Sequence, residues 1–312
     1  MNRILTNYLL PLVGFLFASD VLAQQDPHYT QYMYNMSAVN PAYATDDPGM
    51  LRIGGLYRTQ WVGAVGAPQT LNFFAHTPLS ERIEIGASMI SDQIGDVISE
   101  HNFYADFAYI VPLGNRDKIS FGIKAGVTNF STDFNGFVYT DAIPDPLYAE
   151  NISEFMPNVG TGVYYFSDKY YLGLSVPNLL KSKHIERQNG IVTSAAEDMH
   201  FFFTGGYVFD LSNNLKFKPA FMTKAVNGAP LSIDFTANFL IHDRLELGAA
   251  YRKDDAVSGL VNFFITPNLR IGYSYDYTVS NLGKYNNGSH EIFLLFDLSL
   301  LGSGYDKSPR FF

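Results

Sequence analysis

The sequence contains no cysteine in its 312 residues and only one tryptophan. Without cysteine there can be no disulfide bond, thiolate chemistry, cysteine-ligated zinc or lipid-modified N-terminal cysteine. Charged residues are also scarce, at 16% of the chain against roughly 25% in an average soluble domain. The formal net charge is −9, and no basic stripe offsets it. A nucleic-acid partner is therefore excluded, because binding to phosphates requires clustered Lys and Arg.

Long hydrophobic runs are missing from most of the chain. After residue 23 no stretch reaches the roughly 20 apolar residues that a membrane-spanning helix requires. At the N-terminus, Arg3 precedes an apolar run at residues 4–17, and Val21-Leu22-Ala23 is typical of a signal peptidase site. We predict that residues 1–23 are a signal peptide and that the mature chain begins at Gln24. An uncleaved membrane anchor is the alternative.

Aromatic residues are abundant although charge is scarce. The chain has 26 Phe and 21 Tyr, and aromatic residues make up 15% of it, yet the mean hydropathy is only −0.01. This combination is typical of an outer-membrane β-barrel, in which lipid-facing and lumen-facing residues alternate and cancel in the average.

Apolar and polar residues alternate along the chain from about residue 50. In residues 119–128, Ile119 and Phe121 alternate with Ser120 and Lys124, which is the period of a β-strand with one apolar face. Equally clear segments begin at residues 51, 231, 245 and 269, and weaker ones begin near Thr70, Ile83, Asn102, Asn158, Tyr170, His200, Leu215, Val257 and His290. We predict an all-β fold, a transmembrane antiparallel up-and-down β-barrel of about 14 strands over residues 50–300, with a C-terminal tail at residues 301–312.

The connections between these segments alternate in length. Brief turns such as Ser167-Asp168 are interleaved with longer loops, including residues 131–155 and 179–198. Bacterial outer-membrane barrels have short periplasmic turns and longer outer loops. A soluble β-sandwich, the alternative fold, has no reason to keep that order. We expect partner recognition at the long loops. In the second loop the candidate partner-binding residues are Lys181, Lys183 and Arg187.

The polar face of the strands carries charges of both signs. Its charged residues are Arg52, Arg58, Glu84, Asp106, Lys124, Lys216, Lys218, Asp234, Glu246, Arg252, Arg270 and Asp276. The aromatic residues Phe74, Tyr104 and Phe264 are predicted on the same inward face. The mixture of signs favours an interior cross-linked by ion pairs. A solute channel with a charged constriction is the alternative.

Residues 24–49 are too polar and too often interrupted by proline to form a strand. Their tyrosines can pack inside a lumen while the hydroxyl groups find hydrogen-bond partners. We predict that this segment packs into the periplasmic mouth of the barrel, and a disordered periplasmic tail is the alternative. Its candidate partner-binding residues are Tyr29, Tyr32, Tyr34, Asn40 and Pro41.

Short motifs along the mature chain carry a family resemblance. They lie at residues 25–35 (QDPHYTQYMYN), 40–44 (NPAYA), 60–63 (QWVG), 66–70 (GAPQT), 170–179 (YYLGLSVPNL), 272–277 (GYSYDY) and 288–292 (GSHEI). Through them the chain resembles the PorP/SprF family of type IX secretion membrane proteins of Bacteroidota. The resemblance implies an outer-membrane barrel that helps the type IX system export cargo, often gliding adhesins, and keep it at the cell surface. Some members of the family are linked instead to the secretion motor or its periplasmic components.

The sequence shows no motif for catalysis, metal binding or cofactor binding. Its 7 histidines are scattered without a His-Glu-x-x-His pattern, and no Gly-x-Ser-x-Gly elbow, phosphate loop or dinucleotide fingerprint occurs. A barrel phospholipase that uses His76, His200 or His290 is the enzymatic alternative. We expect no enzyme activity, no cofactor and no metal ion.

These features and the resemblance predict a component of type IX secretion in the cell outer membrane, acting by protein–protein binding. The expected partners are outer-membrane lipid, a secreted surface protein or adhesin, and other type IX secretion components. Neither a nucleic acid nor a small-molecule substrate is expected. The alternative function is a passive porin-like channel for small or hydrophobic solutes.

Overall fold

The computed structural model describes residues 28–47, 49–114, 116–134, 151–180 and 199–300. The predicted signal peptide at residues 1–23, the tail at residues 301–312 and most of the two long loops lie outside the described residues. The same holds for Lys181, Lys183 and Arg187.

Antiparallel strands close into a barrel of 14 strands, as the sequence predicts. In chain order they are β1 (Met50–Thr59), β2 (Gln69–Ser80), β3 (Ile83–Ile94), β4 (Ile98–Pro112), β5 (Lys118–Thr132), β6 (Ser153–Phe166), β7 (Tyr170–Val176), β8 (His200–Tyr207, continued by Phe209–Ser212), β9 (Leu215–Val226), β10 (Ser232–Ile241), β11 (Leu245–Arg252), β12 (Ala256–Thr266), β13 (Leu269–Thr278) and β14 (Ser289–Ser299). Each strand pairs with the next, and β1 pairs with β14 from Met50↔Ser299 to Thr59↔His290. The closed ring therefore leaves no long strand edge without a partner.

The predicted alternation of side chains is present in the strands. On β5, Phe121 and Ile123 are exposed on the outer surface of the wall, whereas Ser120 and Lys124 are buried on the inner side. Successive side chains of a strand point to opposite faces, and the lipid requires apolar side chains on the outer one. The charges predicted to face inward are all buried except Lys216, which is half-buried near a turn.

The two ends of the barrel differ in their connections. One end, here called the turn end, carries residues 81–82, 113–117, 167–169, 213–214, 242–244 and 267–268. The opposite end, called the loop end, carries residues 60–68, 95–97, 133–152, 177–199, 227–231, 253–255 and 279–288. Two of the loop-end connections, residues 95–97 and 253–255, are as short as the turns. Because short turns of bacterial barrels lie in the periplasm, the loop end faces the outside of the cell.

Helical structure is limited to single turns in the part of the chain that the structure describes. These are a 3-10 helix at Tyr32–Tyr34, a short α-helix, α1, at Met36–Val39, and a 3-10 helix at Asn281–Lys284. Among the described residues no helix has the length and apolar character to cross a membrane.

Candidate functional site

The N-terminal segment fills the lumen. Residues 28–47, here called the plug, are almost all buried, and Gln31, Tyr32 and Asn40 are at most 1% exposed. Plug residues pack with inward side chains such as Leu56 and Phe293 in one hydrophobic cluster. The interior of this protein is therefore a folded segment enclosed by the strands.

The plug begins in the half of the lumen nearer the loop end. The backbone N–H groups of Thr30 and Gln31 donate to Glu291 at 3.0 and 2.8 Å, and the Thr30 hydroxyl donates to Asp276 at 2.8 Å. Arg58 forms ion pairs with both carboxylates, at 2.8 Å to Asp276 and 3.2 Å to Glu291. All three wall residues lie close to the loop ends of β1, β13 and β14.

The middle of the plug contacts the wall through two backbone carbonyls and the Asn40 side chain. Lys124 donates to the Ser37 carbonyl at 2.9 Å, and the Ser175 hydroxyl donates to the Val39 carbonyl at 2.7 Å. Asn40 donates to the Val163 carbonyl at 3.1 Å. A Cβ atom added to Gly122 would lie 2.2–2.4 Å from the backbone of Pro41 and Ala42. Only glycine at this wall position therefore lets the plug approach so closely.

Tyr34 makes an aromatic contact through its ring and polar contacts through its hydroxyl. Its ring stacks on Phe293 with a centroid separation of 4.6 Å, and the Arg270 guanidinium lies 5.0 Å from the ring centre. The hydroxyl donates to Glu246 and accepts a hydrogen bond from Asn262 at 3.0 Å. Burial raises the pKa of the Tyr34 hydroxyl well above its ordinary value. The hydroxyl therefore stays protonated and acts as a donor at neutral pH.

The plug ends at the turn end of the barrel. Glu84 accepts hydrogen bonds from the Thr45 backbone at 2.7 Å, the Thr45 hydroxyl at 2.9 Å and the Asp46 backbone at 3.2 Å. Lys118, the first residue of β5, forms an ion pair with Asp46. Arg52 donates to the Tyr43 hydroxyl at 3.1 Å. The plug therefore runs from the outer half of the lumen down to the turn end, where β1 begins.

This path corrects the expectation of a segment confined to the periplasmic mouth. The predicted partner-binding residues of the segment are all buried in the lumen against the wall: Tyr29, Tyr32, Tyr34, Asn40 and Pro41. The reason is that the wall supplies hydrogen-bond partners along the whole height of the plug. Binding of a periplasmic component by these side chains stays a prediction, and it requires the plug to leave the lumen.

Ion pairs inside the lumen connect neighbouring strands, and one of them, between Arg270 and Glu246, joins β13 to β11 past the intervening β12. Arg52 pairs with Asp297 at 2.8 Å, and Arg252 pairs with Asp234 at 2.6 Å. Further pairs join Lys124 to Asp106 at 3.7 Å and Arg270 to Glu246 at 3.9 Å. Positive and negative charges thus neutralise one another, as the cross-linked interior requires. A buried charge whose partner is removed is costly.

A cavity of about 60 Å³ lies beside the plug in the loop-end half, lined among others by Val39, Tyr104, Lys124, Phe202 and Met222. Since one water needs a space of roughly 10–15 Å³, the cavity is large enough to hold water.

Two of the three candidate histidines lie on opposite sides of the wall, and the third, His200, is buried at the start of β8. His76 faces the lumen and contacts the Ser37 hydroxyl at 2.8 Å, whereas His290 lies on the outer side of β14 and contacts Tyr273 at 2.6 Å. No group of metal-binding side chains occurs within the described ranges.

Two inward-facing carboxylates, Glu291 and Asp297, are not among the charges predicted from the sequence. Glu291 binds the plug directly, and Asp297 pairs with Arg52, which binds the plug. Both share the inward face of β14 with Phe293 and Leu295. The outer face of this strand is apolar as well, so the alternation there is weak. The signal that identifies the two carboxylates is their spacing at even intervals along β14.

Comparison with known families decides the identity of the barrel. The model of the type IX secretion system membrane protein PorP/SprF matches residues 21–296. The chain belongs to the PorP/SprF family. Membership confirms the resemblance seen in the motifs, and together with the barrel fold it establishes an outer-membrane location.

Solved outer-membrane proteins share the fold of this PorP/SprF member at low sequence identity. A Pseudomonas aeruginosa FadL homologue aligns with a TM-score of 0.50 and 11% identity, covering 91% of this chain and 96% of that chain. The CymD monoaromatic hydrocarbon channel gives 0.50 and 11%, covering 86% and 92%. The Acinetobacter baumannii outer membrane protein Omp33 gives 0.47 and 8%, covering 82% and 100%. The two similarities with a TM-score of 0.50 concern the fold alone. No curated protein sequence matches the chain.

Proposed function

We propose that this PorP/SprF barrel holds a secreted surface protein, such as a gliding adhesin, at the outer face of the cell during type IX secretion. It acts by protein–protein binding and without enzyme activity. The observation that carries the proposal is the plug, which is bonded to the wall from the outer half to the turn end. A filled lumen leaves the loop end as the surface on which an exported protein can be held.

The long loops are the first candidates for this binding. They connect β5 to β6 and β7 to β8 at the loop end, and loops vary without disturbing the strand ladder. The second loop contains Lys181, Lys183 and Arg187 near its start and Glu197 and Asp198 at its end, so it offers charges of both signs.

The test is an affinity pull-down from detergent-solubilised outer membranes. We expect the native barrel to recover one secreted surface protein. Shortening either long loop should abolish that recovery while the barrel keeps the heat-modifiable gel mobility of a folded protein. Replacing Lys181, Lys183 and Arg187 with serine tests the contribution of these basic side chains alone. Lys253→Ser, at a short connection of the same end, is the matched control.

Two results contradict the proposal in different ways. Full recovery by the loop-shortened barrels means that the long loops do not bind the surface protein. Failure of the native barrel to recover any surface protein, together with a steady conductance in planar bilayers, supports the passive channel instead.

A further inference from the structure

The first described residue of the plug, His28, lies among side chains from the loop ends of four strands. Those that act on it electrostatically are Lys224, Arg252, Arg58 and His200. Arg252 ends β11 and His200 begins β8, both at the loop end, and the other two lie within two residues of the loop ends of β1 and β9. Because β1 and β8 are on opposite sides of the ring of 14 strands, His28 lies inside the lumen and near its outer opening.

Hydrogen bonds to the wall fix the height of the plug two residues further on. The backbone N–H groups of Thr30 and Gln31 both donate to Glu291. Glu291 lies two residues from the loop end of β14, at Ser289, and eight residues from its turn end, at Ser299. At roughly 3.4 Å per residue, these distances along the strand are about 7 Å and about 27 Å. The outer opening is thus much the nearer exit from the lumen.

The chain ahead of Thr30 is too short to return to the turn end. In the mature chain that the sequence predicts, residues 24–29 precede it. Six residues span at most about 20 Å when fully extended, which is enough to pass the loop end but less than the length of β14 beyond Glu291. The way back is also filled, because Tyr32 and Tyr34 of the plug are buried in it.

The composition of the chain changes where the plug begins. Residues 24–27 are two glutamines, an aspartate and a proline, which are residue types mostly found exposed to water. Residues 28–47 contain four tyrosines that are all buried: Tyr29, Tyr32, Tyr34 and Tyr43. Side chains that form a core therefore start at the height where the wall encloses the chain, and polar ones precede them.

We propose that the chain enters the lumen from the outer face of the membrane, so that the N-terminus of the mature protein lies outside the cell at the loop end. The plug then crosses the membrane inside the barrel, and the chain reverses direction at the turn end to form β1. The inference goes beyond the proposed function, because it holds whichever protein the barrel binds. It places a free chain end on the same face as the two long loops.

This path requires removal of the predicted signal peptide. With residues 1–23 still attached, the apolar run at residues 4–17 would have to stand in water beyond the loop end. Exposure of that much apolar surface to water is unfavourable. An uncleaved anchor on the periplasmic side and a plug in this position therefore exclude each other.

The test uses the absence of cysteine, since a single introduced cysteine is then the only thiol that a maleimide can label. Gln25→Cys carries the thiol next to the predicted mature N-terminus. Lys253→Cys carries it at the loop end and Asn213→Cys at the turn end, where both native side chains are exposed. We expect a membrane-impermeant maleimide to label Gln25→Cys in intact cells to the same extent as Lys253→Cys. Asn213→Cys should be labelled only after the outer membrane is permeabilised.

Three results overturn the proposal. Labelling of Gln25→Cys only after permeabilisation, as for Asn213→Cys, means that the N-terminus lies in the periplasm. Labelling only after the barrel is unfolded in urea means that it stays inside the lumen. A mass of the purified protein that includes residues 1–23 means that no chain end forms at Gln24. Heat-modifiable gel mobility shows that each labelled variant is folded, and none of these results affects the pull-down that tests the proposed function.

Discussion

At the scale of single residues, polar pairs inside the lumen contribute more to stability than those outside. The Tyr34 hydroxyl bonds to Glu246 and Asn262 in the lumen, whereas the Tyr57 hydroxyl bonds to Gln69 on the outer side of the wall. Removing a buried hydroxyl leaves its partners unsatisfied and away from water.

Tyr34→Phe should therefore destabilise the barrel while Tyr57→Phe should not. The phenylalanine keeps the stacking on Phe293 but leaves the Glu246 carboxylate without its donor, at a cost of about 1–3 kcal/mol. The free energy of unfolding, measured by urea titration in detergent micelles, checks this. Equal stability of the two variants would show that the Tyr34 hydroxyl is solvated.

The effect of a charged substitution on stability depends on the depth of the residue in the membrane as well as on the face to which its side chain points. Val261 lies in the middle of β12 and points outward, and Ile233 also points outward but is the second residue of β10, at the loop end. The alternation in the sequence identifies both as lipid-facing. It does not give their height, because height depends on where the neighbouring strands begin.

Val261→Arg should lower the free energy of unfolding by about 2–4 kcal/mol and Ile233→Arg by about 0–1 kcal/mol. The reason is that a lipid-facing arginine is strongly destabilising only near the bilayer midplane. The folded fraction in lipid vesicles, followed by heat-modifiable mobility over a urea series, measures both. A larger loss for Ile233→Arg than for Val261→Arg would mean that the membrane lies nearer the loop end.

At the scale of elements, strand positions follow from the sequence except where the strands extend past the lipid. The alternation places β4 near Asn102 and β6 near Asn158, whereas the strands begin at Ile98 and Ser153. Polar residues such as Glu100 and Glu154 interrupt the alternation in the missed parts, because no lipid selects for apolar side chains there. The strands in contact with lipid were predicted to within a few residues.

The path of the plug is not predictable from local sequence. Its fixed points pair residues far apart in the chain, as in Thr30 with Glu291 and Thr45 with Glu84. A segment without regular period carries no signal for such contacts. The tyrosines indicated a lumen position, but the direction from the outer half to the turn end follows only from the wall residues.

Deleting residues 28–47 should open the lumen. The native barrel should be silent in planar bilayers, and the deleted barrel should conduct, since the plug occupies the space between the strands. Gly122→Ala, which pushes a Cβ against Pro41 and Ala42, should give intermittent openings. Gly259→Ala is its control, because no atom lies within 4 Å of that Cβ position. A native barrel with the same conductance as the deleted one would contradict the sealing role of the plug.

At the scale of the whole molecule, the seam between β1 and β14 joins the start of the barrel to its end. Arg58 and Glu291 face each other across this seam, and so do Arg52 and Asp297. The same side chains bind the plug, Glu291 through Thr30 and Gln31 and Arg52 through Tyr43.

This arrangement couples closure of the barrel to the position of the plug. The groups that face each other across the seam also bind the N-terminal segment, so a contact made by one supports the other. A barrel that closed empty would lose the two backbone donors of the Glu291 carboxylate, and water would have to replace them.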